Sequence, residues 1–482
     1  MSLSVYETEH FPSSVEASAL LTLLTRSTRE VSTDASARRY TVPYIPFQKM
    51  EDHRLAQPAS QIVRGRRGVG KSTLIRRAVE LLQATSTLYA VLDMQAYAGL
   101  AGDDLLREVL HDVCVHLADS TRRVAAKLGK NLDATTLSDL AETISSATVD
   151  VNKVPVAIRR ALAKLTATTK SHAIVFLDDY HVIDHEAQPH LLHALHGALK
   201  GANGWLKVAG LSSLMNTYSP KTREGLQVPG DAQFISLDLT LENPEAAEAH
   251  LRAILTSFLG AVGHSMSNTV IPEASFRRLV WATAGVPRDF LQMFARTVEH
   301  ARRNKHTTVT LSDVNMAIGE FGQQKFDDVL QDARNEADVL KKLLAALEKL
   351  CLDEKLVNAF LVRSEDSNER RLVHALSDLR MVHLINQSIT PNRAAVRYEA
   401  YILDYSMFTG FRKRRSVREM VPEESQFKAA ELRALPRVSA GFLDGGVIPV
   451  ASEKEMLAAQ GFEELAAAFK KLGRIVDRAG AA

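Results

Sequence analysis

The sequence predicts an α/β fold: a parallel three-layer sheet built on a P-loop, then a helical lid, a winged-helix domain and a helical C-terminal tail. Three observations predict it. Gly65-x-x-x-x-Gly70-Lys71-Ser72 fits the P-loop pattern and lies between a short apolar strand, Ile62-Val63, and a helix-compatible run from Ser72 to Leu82. Five strand signals alternate with helical stretches up to residue 240, as in a parallel sheet with helices on its faces. From Asn243 the pattern turns helical, and at 335–410 three helical runs followed by two alternating runs give the winged-helix order. The expected divisions are a linker segment over 1–50, a P-loop core over 51–240, a helical lid over 241–330, a winged helix over 335–410 and a tail over 411–482.

Composition bounds the rest. The chain has 482 residues, 46% hydrophobic and 24% charged, ordinary for a globular protein of several domains. With 59 Lys and Arg against 57 Asp and Glu the net charge is +2, so any nucleic-acid site must be a local basic cluster. The two cysteines, Cys114 and Cys351, are far apart in apolar helical contexts, which argues against a disulfide framework or a zinc site and for a reducing, cytoplasmic setting. The N-terminus lacks the pattern of a signal peptide, no apolar run reaches 18 residues, and no solenoid repeat is present.

In chain order, Tyr40–Phe47 carries two prolines among aromatics and reads as an extended segment leading into the P-loop, either beside a bound base or as plain linker. In the P-loop, Gly65, Gly68 and Gly70 let the backbone turn where a Cβ would clash. The N–H groups from Gly65 through Arg66, Arg67, Gly68, Val69, Gly70, Lys71, Ser72 and Thr73 then point inward at a phosphate, which sits at a helix N-terminus. Lys71 is expected to neutralise the β- and γ-phosphates of a bound triphosphate, and the Ser72 hydroxyl to hold Mg²⁺. Thr87–Asp93 is the next strand. About 80 residues without a strong strand follow, with helices at Asp103–Leu117, Thr135–Ala147 and Val154–Leu165 covering one side of the sheet.

Ala173-Ile-Val-Phe-Leu-Asp178-Asp179 looks like a Walker B strand. Asp178 is expected in the Mg²⁺ shell and Asp179 as the residue that orients or deprotonates the attacking water. Thr87–Asp93 also ends in an acid, but it follows the P-loop helix directly and is expected to be the strand one earlier. Aspartate at 179, where glutamate is commoner, reaches less far and suggests slow, switch-like turnover. The histidines at 185, 190, 193 and 196 read as a solvated helix face. Trp205–Leu211 ends in Ser212-Ser213, which either reads a γ-phosphate or is a plain turn. Lys221 and Arg223 follow in a loop, either as surface charges or as residues acting in trans on a neighbouring subunit's nucleotide. In the helical part, Gly285 ends one helix and Pro287 opens the next, so Arg288 projects from a helix N-terminus, where a cation opposes the helix dipole unless an anion faces it.

Together, the P-loop, the Asp178-Asp179 pair, the polar strand tip and the lid phrase Ala284-Gly-Val-Pro-Arg-Asp-Phe290, with Thr310-Leu-Ser-Asp-Val314, resemble an AAA+ ATPase. The lid phrase is similar to the origin-recognition-complex-like branch and to ExeA-type ATPases, with the STAND signalling ATPases as close relatives. The resemblance covers roughly residues 40–325 and implies that Arg288 is the second sensor, contacting the γ-phosphate and coupling it to lid position. The origin-recognition branch also carries a winged helix after its lid.

In the winged-helix region, helices are expected at Ala337–Leu350, Lys355–Leu361 and Asn368–Leu379, then a hairpin of Val382–Ile385 and Val396–Leu403 around Pro391-Asn392. Residues 355–415 hold 11 Lys and Arg and 6 Asp and Glu. Arg370, Arg371 and Arg380 lie on or beside the third helix, Arg393 and Arg397 in the wing, and Arg412-Lys-Arg-Arg415 after it. Double-stranded DNA and a protein partner are both open as what this domain binds, and a homo-oligomer is compatible with the trans role of Lys221 or Arg223. The tail adds helices at Glu423–Leu435 and Glu453–Val476, the second with an amphipathic face.

Overall fold

The computed structural model describes residues 10–29, 44–47, 49–146, 148–333, 337–365, 367–390, 396–410, 417–420, 427–438 and 441–442. It begins with helix α1 (Val15–Arg29) and, after the extended 44–47 stretch, a short helix α2 (Glu51–Leu55). Strand β1 (Gln61–Arg64) feeds the P-loop, which caps helix α3 (Lys71–Gln83). Then come β2 (Leu88–Asp93), helices α4 (Gly102–Leu128), α5 (Thr135–Ile144) and α6 (Val154–Thr169), β3 (Ala173–Asp178), α7 (Gln188–Leu199) and β4 (Gly204–Gly210). A small antiparallel hairpin, β5 (Tyr218–Ser219) with β6 (Glu224–Gly225), precedes β7 (Gln233–Ser236).

The five long strands are parallel and ordered β2-β3-β4-β1-β7. Strand β4 therefore separates the P-loop strand from the strand ending in Asp178, and β2, ending in Asp93, lies outside β3. Alternation sorts the side chains. Ala173, Val175 and Leu177 face the layer of α4 to α7, while Ile174 and Phe176 pack with Leu74, Ile75 and Ala78 of α3. The sheet is thus covered on both faces, which puts the functional loops at the carboxyl ends of its strands. Cys114 is buried in the first of these layers.

The lid is α8 (Pro244–Ala261), α9 (Glu273–Thr283), α10 (Pro287–Arg303) and the long α11 (Leu311–Ala333). Helix α1 packs into it through Ala17, Leu20 and Leu24, all nearly inaccessible. The linker expected over 1–50 thus holds a lid-packed helix. The apolar spacing Ala17, Leu20, Leu21 and Leu24 carries that signal locally.

The third unit runs α12 (Ala337–Glu348), a π-helical turn (Lys349–Glu354), β8 (Ala359–Arg363), α13 (Asn368–Asp378), β9 (Val382–Ile389) and β10 (Tyr398–Leu403). Residues 355–361, expected as a helix, instead lead into β8, which pairs antiparallel with β10. Ala359-Phe-Leu-Val is buried on both faces, and a short continuous apolar run does not distinguish strand from helix. The tail contributes α14 (Ala429–Arg433) and β11 (Arg437–Val438), which adds to β8 in parallel. Pro391-Asn392, Arg393, Arg412–Arg415 and the helix expected at Glu453–Val476 lie outside the described residues. One hydrophobic cluster runs through both lid and winged helix, from Phe276 and Phe290 to Leu372 and Leu403. No helix among the described residues is long and apolar enough to cross a membrane.

Candidate nucleotide site

The P-loop adopts the backbone its glycines permit. Gly68 and Gly70 have φ of 81° and 103°, and Gly70 is the N-cap of α3. A Cβ on Gly68 would lie 2.9 Å from Cβ of Arg288, and the Arg288 N–H donates to the Gly68 carbonyl at 3.2 Å. The start of α10 therefore rests directly on the loop, and Arg288 is half-buried there. Lys71 is 6% exposed, and its Nζ donates to the carbonyls of Gly65 (2.7 Å) and Arg66 (3.1 Å). Burial lowers its pKa, against the pull of the carboxylates of Asp179, Asp238, Asp378 and Asp178. An ammonium held this way, among acids, is placed to exchange carbonyl partners for phosphate oxygens.

The Ser72 side chain lies close enough to Asp178 to pull its carboxyl pKa down, and the first turn of α3 and the tip of β3 meet. Two hard oxygen donors side by side suit Mg²⁺. Burial, and then the neighbouring Asp179 charge, push Asp178 up to about 6. Asp179 has a left-handed backbone, φ 49°, a conformation that is uncommon outside glycine and tends to persist at functional sites. Its Oδ2 accepts from Gln95 Nε2 at 2.6 Å. Asp93 sits beside Asp178 in the β2–β3 register, but its carboxylate accepts from the Gln95 N–H and caps a 3-10 turn. It acts as a strand-end residue.

The other predicted residues are spread around this centre. Arg66 is only 3% exposed. Its guanidinium bonds Asp238, the Leu239 carbonyl and the Ala284 carbonyl, fastening the loop to the end of β7 and to the lid. Gly65 and Val69 are buried, Arg67 is half-buried, and Thr73 is exposed. Phe47 packs over Gly70 and stacks on His250 of α8 at 5.2 Å, so the proline-aromatic segment does lie beside the loop. Lys221 and Arg223 sit exposed at the tip of the β5–β6 hairpin. His190 and His196 face Glu224 and Asp231, while His185 and His193 are exposed.

The winged helix reaches the same loop. The Arg67 N–H donates to the Asp378 carbonyl at 3.2 Å, and the Ser213 N–H donates to Asp378 Oδ2 at 2.7 Å. Ser212-Ser213, expected either to read a γ-phosphate or to be a plain turn, opens a 3-10 turn whose Ser213 N–H meets this acid from α13, a contact with no local sequence signal. Two residues on, Arg380 is 1% exposed and pairs with Asp289, the neighbour of Arg288. Lys325 lies 3.5 Å from Asp289 and also pairs with Asp404, whose carboxylate accepts from His383 Nε2 at 2.8 Å. All five of these side chains are essentially inaccessible. Arg380, expected as a phosphate-contacting residue of the third helix, is thus an interior lid–winged-helix ion pair. Arg370 is bound to Glu399 at 2.7 Å, and Arg371 and Arg397 are exposed.

No family model matches the chain, and no curated protein matches it. Among solved structures, a Drosophila origin recognition complex bound to DNA shares 15% identity, covering 80% of this chain and 89% of that one, with a TM-score of 0.39. The Aeropyrum pernix ORC1 protein in complex with DNA shares 16% identity over 75% and 91%, TM-score 0.39. A Walker-type ATPase of Pyrococcus abyssi shares 14% over 76% and 97%, TM-score 0.45. What the chain can do follows from its own residues. The chain itself combines a P-loop sheet with one strand between β1 and β3, a four-helix lid whose third helix opens on Gly285-Val-Pro-Arg288, and a winged helix after it.

Proposed function

We propose that the chain is an ATP- and Mg²⁺-dependent switch of low turnover that couples nucleotide state to what its winged helix contacts. The observation that carries this is the convergence of Lys71, the Ser72–Asp178 contact, Asp179 and Arg288 on one loop, with the winged helix closing over the same loop. Lys71 and the N–H groups at the start of α3 hold the β- and γ-phosphates, whereas the Arg66 and Arg67 N–H groups, also expected in the cradle, are taken by Asp238 and Asp378. Ser72 and Asp178 hold the cation, which when bound neutralises charge on the phosphate oxygens. Asp179, fixed by Gln95, orients the water. Arg288 reads the γ-phosphate from the lid. Phe47 and His250 offer an aromatic wall to the base.

Docking of α13 on the ATPase core favours a regulatory role in which the winged helix is held against its own chain and released to a partner. Arg371 and Arg397 remain on its outer surface, so double-stranded DNA and a protein are both partners that a released domain could meet. A homo-oligomer would bring the Lys221–Arg223 hairpin to a neighbour's nucleotide. The test is ATP turnover and equilibrium ATP binding in Mg²⁺, with a low-salt gel shift on duplex DNA in both nucleotide states. Slow turnover and binding that both vanish in Lys71→Ala are expected. Absence of nucleotide binding in the unaltered protein overturns the proposal.

A further inference from the structure

Arg66 is the second residue of the P-loop, yet its guanidinium is committed to acceptors inside the protein, and the residue is only 3% exposed. Its Nε donates to Asp238 Oδ1 at 3.1 Å, and its Nη2 donates to the carbonyls of Leu239 at 3.0 Å and Ala284 at 2.8 Å. The Arg66 N–H adds a bond to Asp238 Oδ1 at 2.9 Å. A planar fork of donors can serve several acceptors at once, and here it joins the loop to two other segments.

Those segments are the ones that set the lid. Asp238 and Leu239 lie in the connection between β7 and α8, where the chain passes from the core to the lid. Ala284 is the C-cap of α9, with a left-handed backbone at φ 47°. Its carbonyl lies at the negative end of that helix, where a cation is favourable. Gly285 follows at φ 79°, and a Cβ on it would lie 2.3 Å from the Leu239 carbonyl oxygen. Glycine at 285 thus lets the lid turn reach the acceptor that Arg66 also holds. At the far end of the same turn, the Arg288 N–H donates to the Gly68 carbonyl at 3.2 Å. The turn over 284–288 is pinned to the loop at its start by Arg66 and at its end by Gly68. On the loop side, the Arg66 carbonyl accepts from Lys71 Nζ at 3.1 Å. A phosphate that draws Lys71 toward it releases that carbonyl.

We infer that Arg66 is a positioning residue that carries phosphate occupancy from the P-loop to the lid and sets where Arg288 stands. This rests on the ATP-site proposal above and adds a second link beside Arg288. Arg288 meets the γ-phosphate itself; Arg66 acts through the lid turn. When Lys71 moves to the phosphates, the backbone at residue 66 is free to shift, and the guanidinium passes the shift to the connection and to the start of α10.

The experiment combines hydrogen exchange over residues 284–290, equilibrium nucleotide binding and turnover. It uses the full chain without nucleotide, with Mg²⁺·ADP and with Mg²⁺·ATP, for the unaltered protein, Arg66→Met, Arg66→Lys, Asp238→Asn and Lys71→Ala. A thermal melt checks that each variant is folded. In the unaltered protein ATP is expected to slow exchange over 284–290 at least about threefold relative to ADP. Arg66→Met should keep ADP affinity within about threefold. It should lose most of the exchange response, with kcat at least about tenfold lower. Lysine keeps the charge but not the planar fork, so Arg66→Lys should fall with Arg66→Met. Asp238→Asn loosens the same guanidinium from outside the loop and should move both readouts the same way, which keeps the test open if an Arg66 variant fails the melt. A residue with a structural role alone would lower Tm and leave the exchange response and kcat unchanged. An exchange response that is absent in the unaltered protein, or undiminished in folded Arg66→Met or Asp238→Asn, overturns the inference, and Lys71-dependent binding in the same samples leaves the site proposal standing. Absence of Lys71-dependent binding in every protein overturns both.

Discussion

Replacing Asp178 by asparagine tests the electrostatics of the site in the absence of any ligand. Burial and the adjacent Asp179 charge lift the Asp178 carboxyl from an ordinary 3.8 to about 6. That lift corresponds to about 3 kcal/mol of cost in ionising this group in the folded chain. The sign follows from proton counting. Between about pH 4 and 6 the folded state binds more protons here than the unfolded state, so this group lowers stability as pH rises through that window. The loss is complete above about pH 6 and absent well below pH 4. Asparagine removes the penalty and keeps an acceptor for the Asp179 N–H, which donates to Asp178 at 3.0 Å. Some of the gain is returned through the altered contact with Ser72, leaving about 1–3 kcal/mol of net stabilisation at pH 8. For a unit the size of the ATPase core that raises Tm by at least about 2 °C. Thermal melts of the nucleotide-free proteins from pH 4 to 8 read it. The Tm difference should open between pH 4 and 6 and stay constant above. A difference that does not vary with pH, or a less stable Asp178→Asn protein at pH 8, refutes the reasoning. The same substitution should abolish Mg²⁺-dependent turnover.

Two further outcomes follow from neighbouring contacts. Gln95→Ala removes the 2.6 Å partner of Asp179, so kcat for ATP should fall at least about tenfold with nucleotide affinity unchanged; an unaltered kcat would show that Asp179 needs no such anchor. Arg380→Met takes from buried Asp289 its strongest cationic partner, leaving Lys325 and Arg288, and should cost about 3–5 kcal/mol in denaturant unfolding, most of which Arg380→Met with Asp289→Leu recovers; a cost under about 1 kcal/mol would mean that the pair is not held in the folded protein.

Local signals account for most of what the sequence made legible. The P-loop, the five parallel strands and the start of α10 at Pro287 are written in spacings of a few residues, whereas the place of β4 between β1 and β3 is not. Helix α1 is also legible in its leucine spacing, inside the segment expected as linker. Strand β8 was ambiguous for a physical reason: a segment buried on both faces has no periodicity to read. The contacts that matter most for regulation had no local signal at all. Asp378 meets Ser213 across 165 residues, and Arg380 meets Asp289 across 91. An arginine near a recognition-type helix and an arginine in a buried ion pair look identical until the helix is docked. Gln95 gained its role only because β2 and β3 end side by side.

The central claim is that nucleotide at Lys71 and docking of the winged helix are linked. Hydrogen exchange across α13, Asn368–Asp378, with and without saturating Mg²⁺·ATP, tests it most directly. Amide protection in α13 should drop on ATP, should not drop on ADP, and should be unresponsive in Lys71→Ala. Unchanged α13 protection in the unaltered protein, under conditions where ATP binding is measured in the same sample, would contradict the account.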